Sequence, residues 1–248
     1  GSEGPYRSRP GYDTVGQAMS GLLSVLTDLS NPQPMGISLS DHLTGMMAAY
    51  GILGALMARE KTGRGQRVET SLLAASVAFL GENAARFFET GKTPSRETRA
   101  RSAQVYAFVD AEGKSFVVHL SSPTKFWRGL TQVAGHPQWQ EDARFKAKRD
   151  RQENYRVLHG LLAEIFRGQS RDHWLALLQE HDVPASPIHT LDEVFADPQV
   201  IHLGLKREVP HAKLGSVSLV GGGVRLSETP TEIRTVAPDY GQHTEEIL

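Results

Sequence analysis

The chain has 248 residues, with 27 Lys and Arg against 28 Asp and Glu, giving a formal net charge of −1. So even a balance offers no basic field for nucleic acid or anionic lipid, and the absence of Cys excludes disulfides, thiolate metal sites and a Cys nucleophile. Hydrophobic residues make up 39%, enough to core one large domain or two smaller ones, and without a signal peptide, a membrane-length apolar run or a repeat the expectation is a soluble, cytoplasmic protein.

Residues Gly1 to Tyr6 form no predicted element. Pro10 and Gly11 then act as breakers before a predicted helix from Asp13 to Thr27, in which Val15, Ala18, Met19, Leu22, Leu23 and Leu26 recur at helical spacing and Asp13 or Thr14 can cap the start. Asn31 to Gly36 is a turn-rich connection. A short polar turn, Ser38 to His42, leads into Leu43 to Arg59, where Leu, Met, Ala, Tyr and Ile occupy nearly every face. A helix apolar all round belongs in an interior, and Gly45, Gly51 and Gly54 would admit close neighbours. Asp41 stands at the helix start and has two readings there. It can be an N-cap accepting free N–H groups, or a carboxylate that the helix dipole keeps charged, as a nucleophile must be.

Gly63 suits the left-handed position that ends a helix, and Thr62-Gly63-Arg64-Gly65 fits no phosphate-loop spacing. Gln66 to Glu69 reads as a short strand before a helix from Ser71 to Thr90, an order that suggests an α/β layer.

The run Asp41-His42-Leu43-Thr44-Gly45, followed by Gly51-Ile52-Leu53, Ala55-Leu56 and Arg59 to Val68, resembles the family III CoA-transferases, the group that includes formyl-CoA transferase and the carnitine CoA-transferases. The resemblance implies that Asp41 is the nucleophile; Ser40 stands where the family has glycine. Gly4-Pro5-Tyr6 resembles a turn that normally lies well inside a longer chain, which implies that a front portion, Rossmann-like and carrying much of the CoA site, belongs ahead of it. Pro10, Gly11, Tyr12 and Asp13 align where transferases contact CoA, and Tyr12 aligns with a substrate-pocket tyrosine. The related α-methylacyl-CoA racemases place a proton-shuttling His at that position. A phenol titrating near 10 replaces an imidazole near 6.5 poorly in that role, which argues for transfer over racemisation. Tyr12 also reads simply as an aromatic packed beside Pro10.

Lys92 to Arg99 reads as a linker. Gln104 to Leu120 is a predicted hairpin turning at Asp110 to Gly113. In formyl-CoA transferase a glycine-rich loop before the matching strand closes over the acyl intermediate, so the resemblance places Ser102, Ala103 and Gln104 at the substrate, although Gln104 alone matches that loop. A helix is predicted from Pro123 to Ala134, with Trp127 as a core anchor. Lys146 to Arg151 reads as a solvated basic face, and Gln152 to Arg167 and Ser170 to Glu180 as amphipathic helices, the second capped by Ser170. Asp182 to Ile188 resembles the family's AGVP-x-x-PV turn and strand. Val217 to Val220 and Val224 to Leu226 are candidate strands around Gly221 to Gly223, and Tyr240 to Leu248 matches the family's closing segment. The ten His include no zinc-ligand spacing.

The resemblance implies an α/β fold. Residues 1–99 would be part of a Rossmann-like large domain, 100–191 a small α+β domain and 192–248 a return segment, in an interlocked dimer. It implies transfer of CoA from an acyl-CoA to a carboxylic acid through an aspartyl-CoA intermediate, with CoA and acyl-CoA as substrates, no tightly bound cofactor or metal, and no nucleic-acid or membrane partner. The alternatives are a racemase-like enzyme, or a subunit inactive until a second copy or a chain carrying the front portion joins it.

Overall fold

A left-handed glycine at position 21 (φ 84°) cuts the first predicted helix into α1 (Asp13–Met19) and α2 (Leu22–Leu26). The computed structural model describes residues 1–121 and 124–248. Next comes α3 (Leu39–Thr62), which starts earlier than its apolar run and stops at Gly63 (φ 67°), whose N–H reaches Arg59 O at 2.8 Å. Gln66 to Glu69 forms no strand, and no described strand pairs with it. The predicted helix from Ser71 to Thr90 turns at Leu80 and becomes α4 (Leu72–Phe79) and α5 (Gly81–Thr90). Ser71 caps α4 by accepting the Ala74 N–H, and Gly91 (φ 67°) ends α5. The expected linker is shorter than read, because Ser95 and Thr98 form a capping box that starts α6 (Arg96–Ala103).

Strands β1 (Val105–Val109) and β2 (Ser115–His119) form the predicted hairpin, with Gly113 at φ 81°. After them run α7 (Thr124–Val133), a 3-10 turn at Pro137–Gln140, α8 (Lys148–Glu153), α9 (Tyr155–Phe166), α10 (Arg171–Glu180) and β3 (Ala185–Pro187). The helix start predicted at Pro123 lies outside the described residues. The sheet is antiparallel in the order β1-β2-β3. Alternation sends Tyr106, Phe108, Phe116 and Val118 to one face, where they meet Leu158, Leu162, Phe166, Trp174 and Leu178 of α9 and α10. Trp127 joins that core as expected. Ser170 caps α10 through the His173 N–H. Arg151 departs from the solvated reading of its basic run, being buried against Trp127.

The chain ends with α11 (Leu191–Ala196), α12 (Pro198–Leu203), a ribbon of β4 (Lys206–His211) and β5 (Gly215–Val220), and α13 (Thr244–Ile247). The partner strand β4 has no counterpart among the predicted strands, and Val224 to Leu226 forms none. The fold is thus mixed α/β, and among the described residues the regular elements within 1–99 are all helices, apart from one isolated bridge. No helix among them is long and apolar enough to cross a membrane.

The interior reading of α3 is corrected. Of its residues only Ser40 and Leu43 are buried, while Met46, Tyr50, Leu53 and Met57 are more than half exposed. Helices α1 and α4 pack against α3, and the small core there is Leu22, Leu43 and Ala75. The glycines bring no close neighbour at Gly45 or Gly54; a Cβ on Gly51 would meet Val68 Cγ1 at 2.7 Å. Apolar composition on every face of a helix shows that the faces can be buried, not that this chain buries them.

Candidate active site

Asp41 lies in the first turn of α3, two positions inside the helix, and Ser38 occupies the N-cap. The N-cap reading of Asp41 is therefore corrected, and the Ser38 side chain makes no capping bond either. A helix start must still place its free N–H groups. Leu39 N–H reaches Ile37 O at 2.9 Å, and His42 N–H closes the first helical bond on Ser38 O at 3.1 Å. The two between them go to another element: Asp13 Oδ1 accepts from Ser40 N–H at 2.8 Å and Asp41 N–H at 3.3 Å. Asp13 thus caps α3, and at the start of its own helix the N-cap is Tyr12, with no side-chain bond.

Gln17, one turn along α1, holds that carboxylate. Its Nε2 donates to Asp13 Oδ2 at 2.5 Å and to Ile37 O at 3.2 Å, and the side chain is buried. Gln17 Oε1 has no partner among the described residues, so the amide is committed as a donor. Gly16 allows the approach, since a Cβ there would stand 2.9 Å from Leu72 Cβ and 3.3 Å from Ser40 Cβ. Ser40, in the family's glycine position, turns its hydroxyl to Ser76 of α4 at 2.8 Å, and both are fully buried. Three segments therefore fix the start of α3: α1, the Ile37 stretch and α4. The Asp41 carboxylate itself is exposed and receives no hydrogen bond among the described residues.

The expected CoA-contact stretch is carried to this place. Pro10, Gly11 and Tyr12 are exposed immediately before Asp13, with Tyr12 at 79% exposure, which leaves no packing of its ring beside Pro10. Ser102, Ala103 and Gln104 belong to a different cluster. Gln104 is buried in a left-handed conformation (φ 52°), its Nε2 donating to Ser121 O at 3.1 Å and its Oε1 accepting from Arg151 Nε at 2.6 Å. Ser102 O accepts from Gln152 Nε2 at 2.9 Å, and Ala103 O from Ser121 N–H at 2.9 Å. These bonds staple the segment to the core built around β1, β2 and α9. Gln17 and Ser76 are absent from the residues named by sequence; the Asp13–Gln17 spacing of four, which puts an amide beside a carboxylate on one helix face, was the available signal. No cluster of three or more metal-ligating side chains occurs among the described residues.

Residues 1–244 match the family model of CoA-transferase family III. The chain is 32% identical over 252 residues to succinyl-CoA:glutarate CoA-transferase of Homo sapiens, covering all of this chain and 57% of the relative. It is 30% identical to succinyl-CoA–D-citramalate CoA-transferase of Chloroflexus aurantiacus, again over all of this chain and 62% of the relative. Among solved structures, a CaiB/BaiF family protein from Brucella suis superposes with a TM-score of 0.84 at 29% identity, covering 100% of this chain and 64% of that one. The chain thus spans less than two thirds of the length of these relatives.

Proposed function

This chain belongs to CoA-transferase family III, and from that premise we propose that Asp41 is the nucleophile that moves CoA from an acyl-CoA thioester to a carboxylic acid. The observation that carries the reading is the uncommitted Asp41 carboxylate at a helix start whose N–H groups are already bonded to Asp13 or to main-chain oxygens. A carboxylate in that setting has a lone pair to offer.

Asp41 Oδ attacks the thioester carbonyl, the C–S bond breaks, and CoA leaves as thiolate from a mixed anhydride. The thiolate then attacks the aspartyl carbonyl, forming an enzyme–CoA thioester and releasing the donor carboxylate. An acceptor carboxylate takes the same two steps in reverse, and Asp41 returns unchanged. Passing through covalent intermediates exchanges one thioester for another without hydrolysis, provided water is excluded and the oxyanion finds donors. The Ser40 and Asp41 N–H groups are spent on Asp13, so those donors lie elsewhere. The names of the human and Chloroflexus relatives pair succinyl-CoA with a second dicarboxylic acid, which supports short dicarboxylates as donor and acceptor here.

The same proposal assigns the nucleophile to residues 1–99, the smaller domain to 100–191 and a return to the large domain to 192–248. It includes a companion surface, from a second copy or from a segment that completes the family length, over the outer face of α3. Two observations support it. The exposed Met46, Tyr50, Leu53 and Met57 form one contributor, and the other is the total accessible area, 17443 Å², against about 10,900 Å² for a folded monomer of this mass.

Asp41→Asn removes the nucleophile but no hydrogen bond. Transfer should fall by at least about 10³-fold while the circular dichroism spectrum and melting temperature stay unchanged. In the unaltered protein incubated with succinyl-CoA, mass spectrometry should find the added mass on the peptide carrying Asp41. Near-normal transfer by the variant would overturn the assignment.

A further inference from the structure

We infer that Asp13 is a positioning residue for Asp41: it occupies the two α3 N–H groups onto which the Asp41 carboxylate could otherwise fold, and so keeps that carboxylate turned outward. The inference rests on the nucleophilic reading of Asp41 and differs from the CoA contact that alignment alone assigns to Asp13.

A first-turn carboxylate is attracted to the helix terminus by the dipole and by unpaired N–H groups. Were the Ser40 and Asp41 N–H groups free, the Asp41 carboxylate would have local donors, and a carboxylate held by donors is a weaker nucleophile. In α3 one oxygen of Asp13 takes both. Its other oxygen is held by Gln17 Nε2, which also ties Ile37 O, the carbonyl that accepts the Leu39 N–H. Every N–H from Leu39 to His42 is then satisfied without Asp41. Gln17 has its donor end engaged twice and its buried oxygen without a partner among the described residues, an arrangement that holds Asp13 as an acceptor. The Ser40–Ser76 hydroxyl pair and the close approach at Gly16 fix the terminus against α4 and α1, so Asp13 acts on a helix start that cannot drift.

The test compares Asp13→Ala, Asp13→Asn and Asp41→Asn in the active protein, measuring kcat, KM for succinyl-CoA, and hydrogen exchange of the peptide spanning Leu39 to His42. Asp13→Ala should lower kcat by roughly 10- to 100-fold, the scale of a reacting group displaced by about an ångström, with KM within twofold of the unaltered protein and faster exchange in the first turn of α3. Asp13→Asn keeps an oxygen for the two N–H groups and should recover most of the lost kcat. It also keeps the question open to measurement if Asp13→Ala folds poorly. A raised KM with unchanged kcat would make Asp13 a CoA contact and overturn the inference. So would wild-type kcat in both Asp13 variants beside an inactive Asp41→Asn. Transfer retained by Asp41→Asn overturns the nucleophile itself, while the exchange data still report whether Asp13 caps α3.

Discussion

Arg151 is a buried cation to which no carboxylate is hydrogen-bonded among the described residues. It donates to three neutral oxygens, Gln104 Oε1 at 2.6 Å, Phe145 O at 2.7 Å and Lys146 O at 3.1 Å, and its guanidinium lies 4.7 Å from the centre of the Trp127 ring. Burial pulls its pKa below the usual arginine value, so each acceptor matters. Gln104→Leu removes the Nε acceptor and should cost roughly 1–3 kcal/mol, measured as a lower melting temperature. A lid residue would instead lose kcat at constant stability, so one pair of measurements decides between the two roles. At this scale the sequence made Asp41 conspicuous, because its neighbours carry a family pattern. It concealed the partners of Asp13 and Arg151, which lie 27 and 47 positions away. A run of basic residues looks solvated until one of them turns inward.

Element types were largely legible, since capping and turn residues act locally. Gly63, Gly91 and Gly113 sit in the left-handed positions their contexts demand, and Ser170 caps as its place before α10 suggests. Pairing was less so. Gln66 to Glu69 has strand composition without a strand beside it, and β4, with Pro210 inside it, is a strand chiefly because β5 pairs along it from Lys206 to His211. Two glycines illustrate how position decides consequence. A Cβ on Gly129, in the middle of α7, would stand 2.6 Å from His181 O and 2.7 Å from Val183 Cγ2. Gly129→Ala should therefore destabilise by about 1–3 kcal/mol, the range for overpacking, seen as a lower denaturant midpoint. Gly51→Ala meets only Val68 Cγ1, on a part-exposed side chain that can rotate away. There the gain in helix propensity, up to about 1 kcal/mol, should leave stability unchanged or higher.

Across the whole molecule, burial is uneven. Among the described residues eighteen buried ones form one core around β1, β2, α7, α9 and α10, whereas the helices before Lys92 share Leu22, Leu43 and Ala75. Amides of β1, β2 and α9 should therefore exchange slowest in the isolated chain, and those of α3 beyond its first two turns much faster. Exchange mass spectrometry reads both. Arg171 joins the larger core to the C-terminal segments, its Nη2 reaching Glu193 Oε1 of α11 at 2.7 Å while its backbone N–H bonds the Asp110 carboxylate. The Arg171 side chain is the main cause that lowers the Glu193 pKa from 4.5 to about 2, with the Thr190 N–H adding to it. Because the folded value is the lower one, this contribution is complete above pH 4.5 and fades as pH falls toward 2. Glu193→Gln should lose stability less steeply than the unaltered chain across that window, as measured by acid titration of the unfolding midpoint.

The order of those two cores along the polypeptide has a consequence during synthesis. Helix α3 leaves the ribosome before the aromatic residues that build the larger core exist, and at about 5–20 residues per second the stretch from Gly63 to Val183 that supplies that core takes roughly 6–24 s to make. Met46, Tyr50, Leu53 and Met57 stay in water on α3 even after that core has closed, so an apolar face on which chaperones can act outlasts the interval.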